Sequence, residues 1–169
     1  MRWDTGGRDH DWYDGLQVCE NGHVITNYAT SQPTSTQNHC HECGAKTITA
    51  CPTCNTPMRG YRHISGVFHV SDSPAPDYCM ECGSPMPWQA AKLENLAEVL
   101  SMSGISESDL AIVRSAIPDI AKETPKSESA TMKVKVILKK LGSDAYGVAL
   151  KVVTDVASEY SKKMLNSQH

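Results

Sequence analysis

Three Cys-x-x-Cys pairs, Cys40 with Cys43, Cys51 with Cys54 and Cys79 with Cys82, constrain this chain more than any other feature. A two-residue spacer lets one tight turn aim both thiolates at a single point, which is the geometry of half a tetrahedral metal site. Glycine after the second cysteine, as at Gly44 and Gly83, relieves the backbone strain of such a turn. The remaining cysteine stands in Cys19-Glu20-Asn21-Gly22-His23, where an Asn-Gly turn folds the histidine back toward the thiolate. Seven cysteines and His23 make eight donors, the number that two tetrahedral Zn2+ ions require. All four positions on each ion are then filled by protein, so structural sites are expected rather than catalytic ones.

The chain has 169 residues, and every cysteine lies before residue 83 together with six of the seven histidines. That asymmetry divides it into an N-terminal segment 1–12, a double zinc-ribbon domain 13–88 and a helical domain 89–169. The N-terminus has no apolar segment followed by a small-residue cleavage site, so no secretory signal is expected. A cytoplasmic, reducing location follows, in which paired cysteines act as metal ligands rather than as a disulfide framework. No stretch approaches the roughly 18 apolar residues of a membrane-spanning helix. A thioredoxin-like role would need a Cys-x-x-Cys at a helix start within a βαβ unit, and no such pattern occurs.

Which donors share an ion is suggested by a near-repeat. His39-Cys40-His41-Glu42-Cys43-Gly44 and Tyr78-Cys79-Met80-Glu81-Cys82-Gly83 share the core Cys-x-Glu-Cys-Gly, so the closing half of a ribbon occurs twice. Sequential pairing follows, with Cys19, His23, Cys40 and Cys43 on one zinc and Cys51, Cys54, Cys79 and Cys82 on the other. The segments 60–64 and 66–70 read as the two strands of a hairpin in the second ribbon. A RING-like cross-brace, in which alternate pairs share an ion, stays open, although the seven residues between Cys43 and Cys51 are long for it. His39 or His41 can substitute for His23. Glu42 and Glu81 read as solvated, and His10, His63 and His69 as exposed loop or strand residues.

Gln17-Val18-Cys19-Glu20-Asn21-Gly22-His23-Val24-Ile25-Thr26, Cys43-Gly44-Ala45-Lys46-Thr47-Ile48, Cys51-Pro52-Thr53-Cys54 with Arg59-Gly60, and Cys82-Gly83 with Pro87-Trp88 together resemble a bacterial zinc-ribbon family of unknown function. The resemblance covers roughly residues 13 to 90 and implies the same ligand set and a bacterial cytosolic protein, but no activity. Glu123-Thr124-Pro125 and Asp155-Val156-Ala157-Ser158-Glu159 before Lys162-Lys163 are similar to the helical tails that accompany this domain.

Residues beyond 86 read as about four helices. Pro87 starts the first, with Leu93, Leu96, Ala97 and Leu100 at helical spacing until Ser103-Gly104. Ser106-Glu107-Ser108-Asp109 approximates a capping box for a second, which Pro118 is expected to bend or restart. A Ser-rich linker follows Pro125, and then a third helix carries Val134, Ile137, Leu138 and Leu141. Alternation of lysine with β-branched residues over 131–138 leaves a strand as the alternative. Ser143 is expected to cap a fourth helix whose apolar stripe runs from Tyr146 to about Leu165. The fold class expected is therefore α+β and multi-domain, two zinc ribbons built on short hairpins followed by a helical domain.

Residues 1–88 hold five Lys or Arg against nine Asp or Glu, and four thiolates around one zinc add further negative charge. An acidic ribbon repels phosphate, so the basic character of a nucleic-acid-binding domain is missing. Arg59, Arg62 and the run Lys133, Lys135, Lys139, Lys140 are the exceptions. No glycine-rich phosphate loop, Gly-x-Ser-x-Gly elbow or His-Glu-x-x-His pair occurs, and Asp9, Asp11 and Asp14 lie in a polar segment with no evident partner. The expected function is a non-enzymatic zinc-binding adaptor whose C-terminal helices mediate association with itself or a protein partner. A nucleic-acid-binding zinc-ribbon regulator ranks second and a RING-like ligase-type module third.

Overall fold

Leu16, in the link between two short strands (residues 12–15 and 17–19), and Val18, on the second of them, are both fully buried and pack with Cys51 and Cys79. The structure, a computed structural model, describes residues 11–67 and 71–166. It divides the chain into two units, Met1–Trp88 and Gln89–His169. The class is α+β, with short antiparallel strands in the first unit and five helices among the described residues.

In the first unit, β1 (Trp12–Gly15) is followed by β2 (Gln17–Cys19), β3 (Val24–Thr26), β4 (Thr47–Ile48) and β5 (Arg59–His63). A three-stranded sheet has the order β3-β2-β4, with Val18 opposite Val24 on one side and Ile48 on the other. The second sheet pairs β1 with β5, Trp12 facing His63 and Tyr13 facing Arg62. The expected first strand of the second-ribbon hairpin is present as β5, but its described partner is β1. Ile64 to Val67 form a turn closed by Val67 N–H to the Ile64 carbonyl at 3.1 Å, and Phe68–Val70 lie outside the described residues, as do His10 and His69. The partner is sequence-distant β1, because Asn27 bridges the ladder to the rest of the unit. Its carbonyl accepts Tyr61 N–H at 2.9 Å and its side chain accepts Ser73 N–H at 2.9 Å. Gly60 is required at this crossing. A Cβ there would overlap the Asn27 carbonyl oxygen and lie 2.8 Å from that of Gly15.

The core of this unit is small. Leu16, Val18, Met58, Met86 and Trp88 pack with Cys51 and Cys79, so these two cysteines belong to the apolar interior.

The second unit consists of α1 (Pro87–Met102, from Gln89 onward), α2 (Glu107–Lys122), α3 (Ser127–Leu138), α4 (Ser143–Val156) and α5 (Glu159–Asn166). Ser106 caps α2 as expected, its side chain accepting from Asp109 N–H at 3.2 Å. Three expectations are corrected. α2 runs unbroken through Pro118 and does not restart there. The proline lacks the N–H that the Arg114 carbonyl would take, but both residues face solvent, while Ile117 and Ile120 on the other side are buried and hold the helix. Ser127 to Ser129 are not linker but the first turn of α3, and buried Ser127 donates to the Asp119 carbonyl at 2.6 Å. Over residues 131–138, by contrast, the expected third helix forms and the strand alternative does not, since burial of Ala130, Val134, Ile137 and Leu138 satisfies a period of 3.6. Finally, Gly142 rather than Ser143 is the N-cap of α4, and the long fourth helix breaks at Ala157–Ser158. There the Ser158 N–H donates to the Ile120 carbonyl of α2 at 3.1 Å and the Ser158 hydroxyl accepts from Ser161 N–H at 3.3 Å, starting α5. Among the described residues no helix is long and apolar enough to cross a membrane.

Candidate metal centres

Each Cys-x-x-Cys pair is built by the same backbone device. The carbonyl of the first cysteine accepts the N–H four residues on, at 2.8 Å for Cys40 and Gly44, 2.8 Å for Cys51 and Asn55, and 3.0 Å for Cys79 and Gly83. The N–H of the first cysteine donates to the carbonyl five residues on, at 2.8, 2.9 and 2.9 Å in the same order. Isolated bridges His39 with Lys46, Ala50 with Pro57 and Tyr78 with Pro85 then close the three loops alike. The residue after the second cysteine must take a positive φ, 72° at Gly44, 60° at Asn55 and 69° at Gly83. Asn55 is the member that glycine-spotting misses. Asparagine tolerates the left-handed region because its short polar side chain compensates locally.

Cys19 and His23 come together differently. β2 ends at Cys19, β3 begins at Val24, and the loop between folds with Gly22 N–H on the Cys19 carbonyl and Cys19 N–H on the His23 carbonyl, both at 2.9 Å. Gly22 has φ of 92°, and a Cβ on it would lie 3.1 Å from Trp88 Cγ, so the turn rests against the indole. Gln17, buried on β2, grips the segment leading to Cys40. Its amide nitrogen reaches the Gln37 carbonyl at 2.9 Å and its amide oxygen accepts Gln37 N–H at 2.9 Å.

The donor atoms fall into two groups, Cys19, His23, Cys40 and Cys43, and Cys51, Cys54, Cys79 and Cys82, each within 4.8 Å. A cross-brace would bring Cys19 and His23 to Cys51 and Cys54, and the structure does not form one. His39 and His41 stay exposed outside the first group. The separations test the fit to zinc. Sulfurs about 2.3 Å and a nitrogen about 2.0 Å from a tetrahedral ion stand about 3.8 Å (S to S) and about 3.5 Å (S to N) apart. Cys19 Sγ and Cys43 Sγ are 3.7 Å apart, and His23 Nδ1 is 3.5 Å from Cys19 Sγ and 3.6 Å from Cys40 Sγ. In the second group Cys51 to Cys82 is 3.9 Å and Cys54 to Cys79 is 3.5 Å. Both groups therefore fit a ribbon-like metal site, and either can hold an ion.

The surroundings favour thiolates unevenly. Backbone N–H of Ala45 and the Asn21 amide, 3.3 Å from the sulfur, hold the Cys43 thiol down to about 6. The Ser84 hydroxyl and N–H do the same for Cys82, also to about 6. Cys79 goes the other way: the N–H groups of Cys82 and Glu81 favour its thiolate, but burial and the neighbouring Cys54 and Cys82 sulfurs outweigh them and push it up to about 11. Buried and exposed sulfurs alternate, Cys19, Cys40, Cys51 and Cys79 inside and Cys43, Cys54 and Cys82 outside. Glu42 is exposed, as expected, with its carboxylate 3.9 Å from His23 Nε2.

Two sequence expectations about polar residues are overturned in this unit. Asp14 is not partnerless. Its side chain is fully buried, and Oδ1 accepts the N–H groups of Gly15 (2.8 Å), Thr30 (2.8 Å) and Ser31 (3.1 Å) while Oδ2 accepts the Ser31 hydroxyl. His63 is not a free strand histidine. Its Nε2 lies 3.1 Å from Asp14 Oδ2 and its ring stacks on Trp12 with centroids 3.9 Å apart. Asp11 pairs with Arg62 at 2.9 Å. The adjacency of β1 and β5 creates the contacts with His63 and Arg62, and no local motif announces them.

The family model described as "Uncharacterized protein conserved in bacteria (DUF2321)" matches residues 12–165. No curated protein and no solved structure matches the chain.

Proposed function

The chain belongs to this conserved bacterial family, and from that premise we propose that it is a non-enzymatic, cytoplasmic adaptor held in shape by two zinc ions. Cys19, His23, Cys40 and Cys43 hold one, and Cys51, Cys54, Cys79 and Cys82 the other. The observation that carries this reading is the spacing of the donors, 3.5 to 3.9 Å for five pairs and within 4.8 Å throughout each group. Bound zinc supplies neutralisation of the clustered thiolates and a cross-link between loops. The apolar cluster of the first unit is too small to hold such loops alone, which is where metal replaces core in small domains. The protein's part is to fix four donors per ion and so display the surrounding loops, while the helices of the second unit provide a protein-binding surface.

Elemental analysis of protein purified without added metal should find two zinc equivalents per chain, and a value near zero or one would refute the ligand assignment. For the adaptor role, affinity capture of the native protein with and without nuclease is decisive. Protein partners that survive nuclease support it, and loss of all bound material supports the nucleic-acid regulator instead. Against that second reading stand the ties of the basic residues, with Lys140 on Asp109 at 2.9 Å, Lys135 on the Met164 carbonyl at 3.1 Å and Arg62 on Asp11.

A further inference from the structure

A concavity of about 750 Å³ in the second unit runs between α2 and α3. Its floor is apolar, and three side chains that would ordinarily be covered stand open in it: Ile112 at 43 %, Met132 at 51 % and Val136 at 59 % exposure. The two banks differ in charge. Residues 126–140 carry five lysines against the single acid Glu128. Of the lysines that line the groove, Lys140 is neutralised by Asp109, whereas the ammonium groups of Lys126 and Lys133 have no carboxylate partner among the described residues. The opposite bank ends in Asp119, whose carboxylate accepts the Thr124 hydroxyl at 2.6 Å.

We propose that this groove docks one amphipathic helix of a protein partner, with apolar anchors on the floor and an acidic flank laid against Lys126 and Lys133. The inference deepens the adaptor reading and rests on it. Along α2 the groove runs from Asp109 to Asp119, about 15 Å, enough for roughly three turns of helix. Apolar anchors at helical spacing in a groove are a recurring recognition mode, and the charged bank sets the orientation and the choice of partner. A second copy of this chain is a poorer occupant. The other exposed large apolar residues among the described residues of this unit, Met102, Val148 and Tyr160, stand singly on α1, α4 and α5, so none of these three helices offers a matching stripe. A phosphate backbone would leave the apolar floor unused.

The test uses the full-length, zinc-loaded protein and two labelled synthetic peptides of about fourteen residues with identical leucine stripes, one flanked by glutamates and one by lysines. Fluorescence anisotropy should show the glutamate peptide binding about tenfold tighter, and the double variant K126E/K133E should reverse that preference. Both substituted side chains are exposed, so an unchanged helical circular dichroism signal shows that the variant is folded. Equal binding of the two peptides, binding of neither, or a preference unaltered by K126E/K133E overturns the proposal. So does a wild-type protein that binds a single-stranded RNA oligonucleotide or phosphatidylserine vesicles through the same lysines without preferring the acidic peptide. The two readings fail separately. An adaptor whose nuclease-resistant partners still bind K126E/K133E keeps its function and loses this groove, whereas the absence of any protein partner removes the adaptor itself.

Discussion

Asp14 Oδ2 lies 3.1 Å from His63 Nε2, and this contact ties β1 to β5 across 49 residues of sequence. With the N–H groups of Gly15, Thr30 and Ser31 on its other oxygen, the carboxylate also pins the turn after β3. It is the polar hub of the first unit, remote in role from the metal loops.

Replacing Asp14 by alanine strands several buried donors at once, and should cost about 2–4 kcal/mol. Burial alone would raise this carboxyl, but the hydrogen bonds from Ser31, His63 and Thr30 outweigh it and hold the group below its usual value. A depressed folded value means the contribution is full above the unfolded value near about 4 and is lost as pH falls through the folded one. Urea midpoints of wild type and Asp14→Ala should therefore differ most near neutrality and converge in acid. A difference that does not change with pH would contradict this role.

Chelation should act on one unit far more than on the other. Removing metal is expected to abolish the near-ultraviolet signal of Trp12 and Trp88 while most of the far-ultraviolet helical signal remains, because α2 to α5 pack around their own core. Cys51→Ser should lower the zinc content from two to one, and simultaneous loss of both ions would show that the sites are not separate.

Asn55 offers a test of the shared loop geometry. Its φ of 60° suits glycine at least as well, so Asn55→Gly should be close to neutral. Asn55→Val should cost about 1–2 kcal/mol, since a β-branched side chain resists the left-handed region. Thermal unfolding of the zinc-loaded variants separates the two outcomes, and equal loss in both would mean that the Asn55 side chain matters beyond its backbone.

Gly60→Ala should fail more severely than any other small substitution on β5, because the obstacle is backbone of Asn27 and Gly15 rather than a movable side chain. A loss of about 2 kcal/mol or more is expected from the forced separation of β1 and β5. A variant with wild-type stability would show that the ladder can shift.

Pro118→Ala should stabilise the second unit by about 2 kcal/mol, since it restores an N–H for the Arg114 carbonyl at a solvent-facing position of an unbroken helix. Calorimetry reads this directly, and a destabilised variant would show that Pro118 shapes α2 after all.

Much of this molecule is local, and local chemistry is readable. A Cys-x-x-Cys followed by glycine builds its own turn from backbone hydrogen bonds spanning five residues, so the donors at Cys40, Cys43, Cys79 and Cys82 could be found without knowing their surroundings. The same holds for Ser106 capping α2 and for the apolar stripe of Leu93, Leu96 and Leu100. Period and capping are properties of a single segment, and they survive whatever that segment packs against.

What required the folded chain was everything that depends on distant backbone. The partner of β5 was decided by Asn27 and Gly60, the break before α5 by a carbonyl on α2, and the burial of Asp14 by a histidine 49 residues away. The pairing of donors belongs to the same class. Eight ligands in order admit both a sequential and a cross-braced arrangement, and only the three-dimensional course of the loops, fixed by the β2 ladder and the Gln17 grip on Gln37, brings Cys19 and His23 to Cys40 and Cys43. Sequence specifies donors because each needs only its neighbours. Tertiary structure specifies sites because a tetrahedron must be closed by residues that the chain holds far apart.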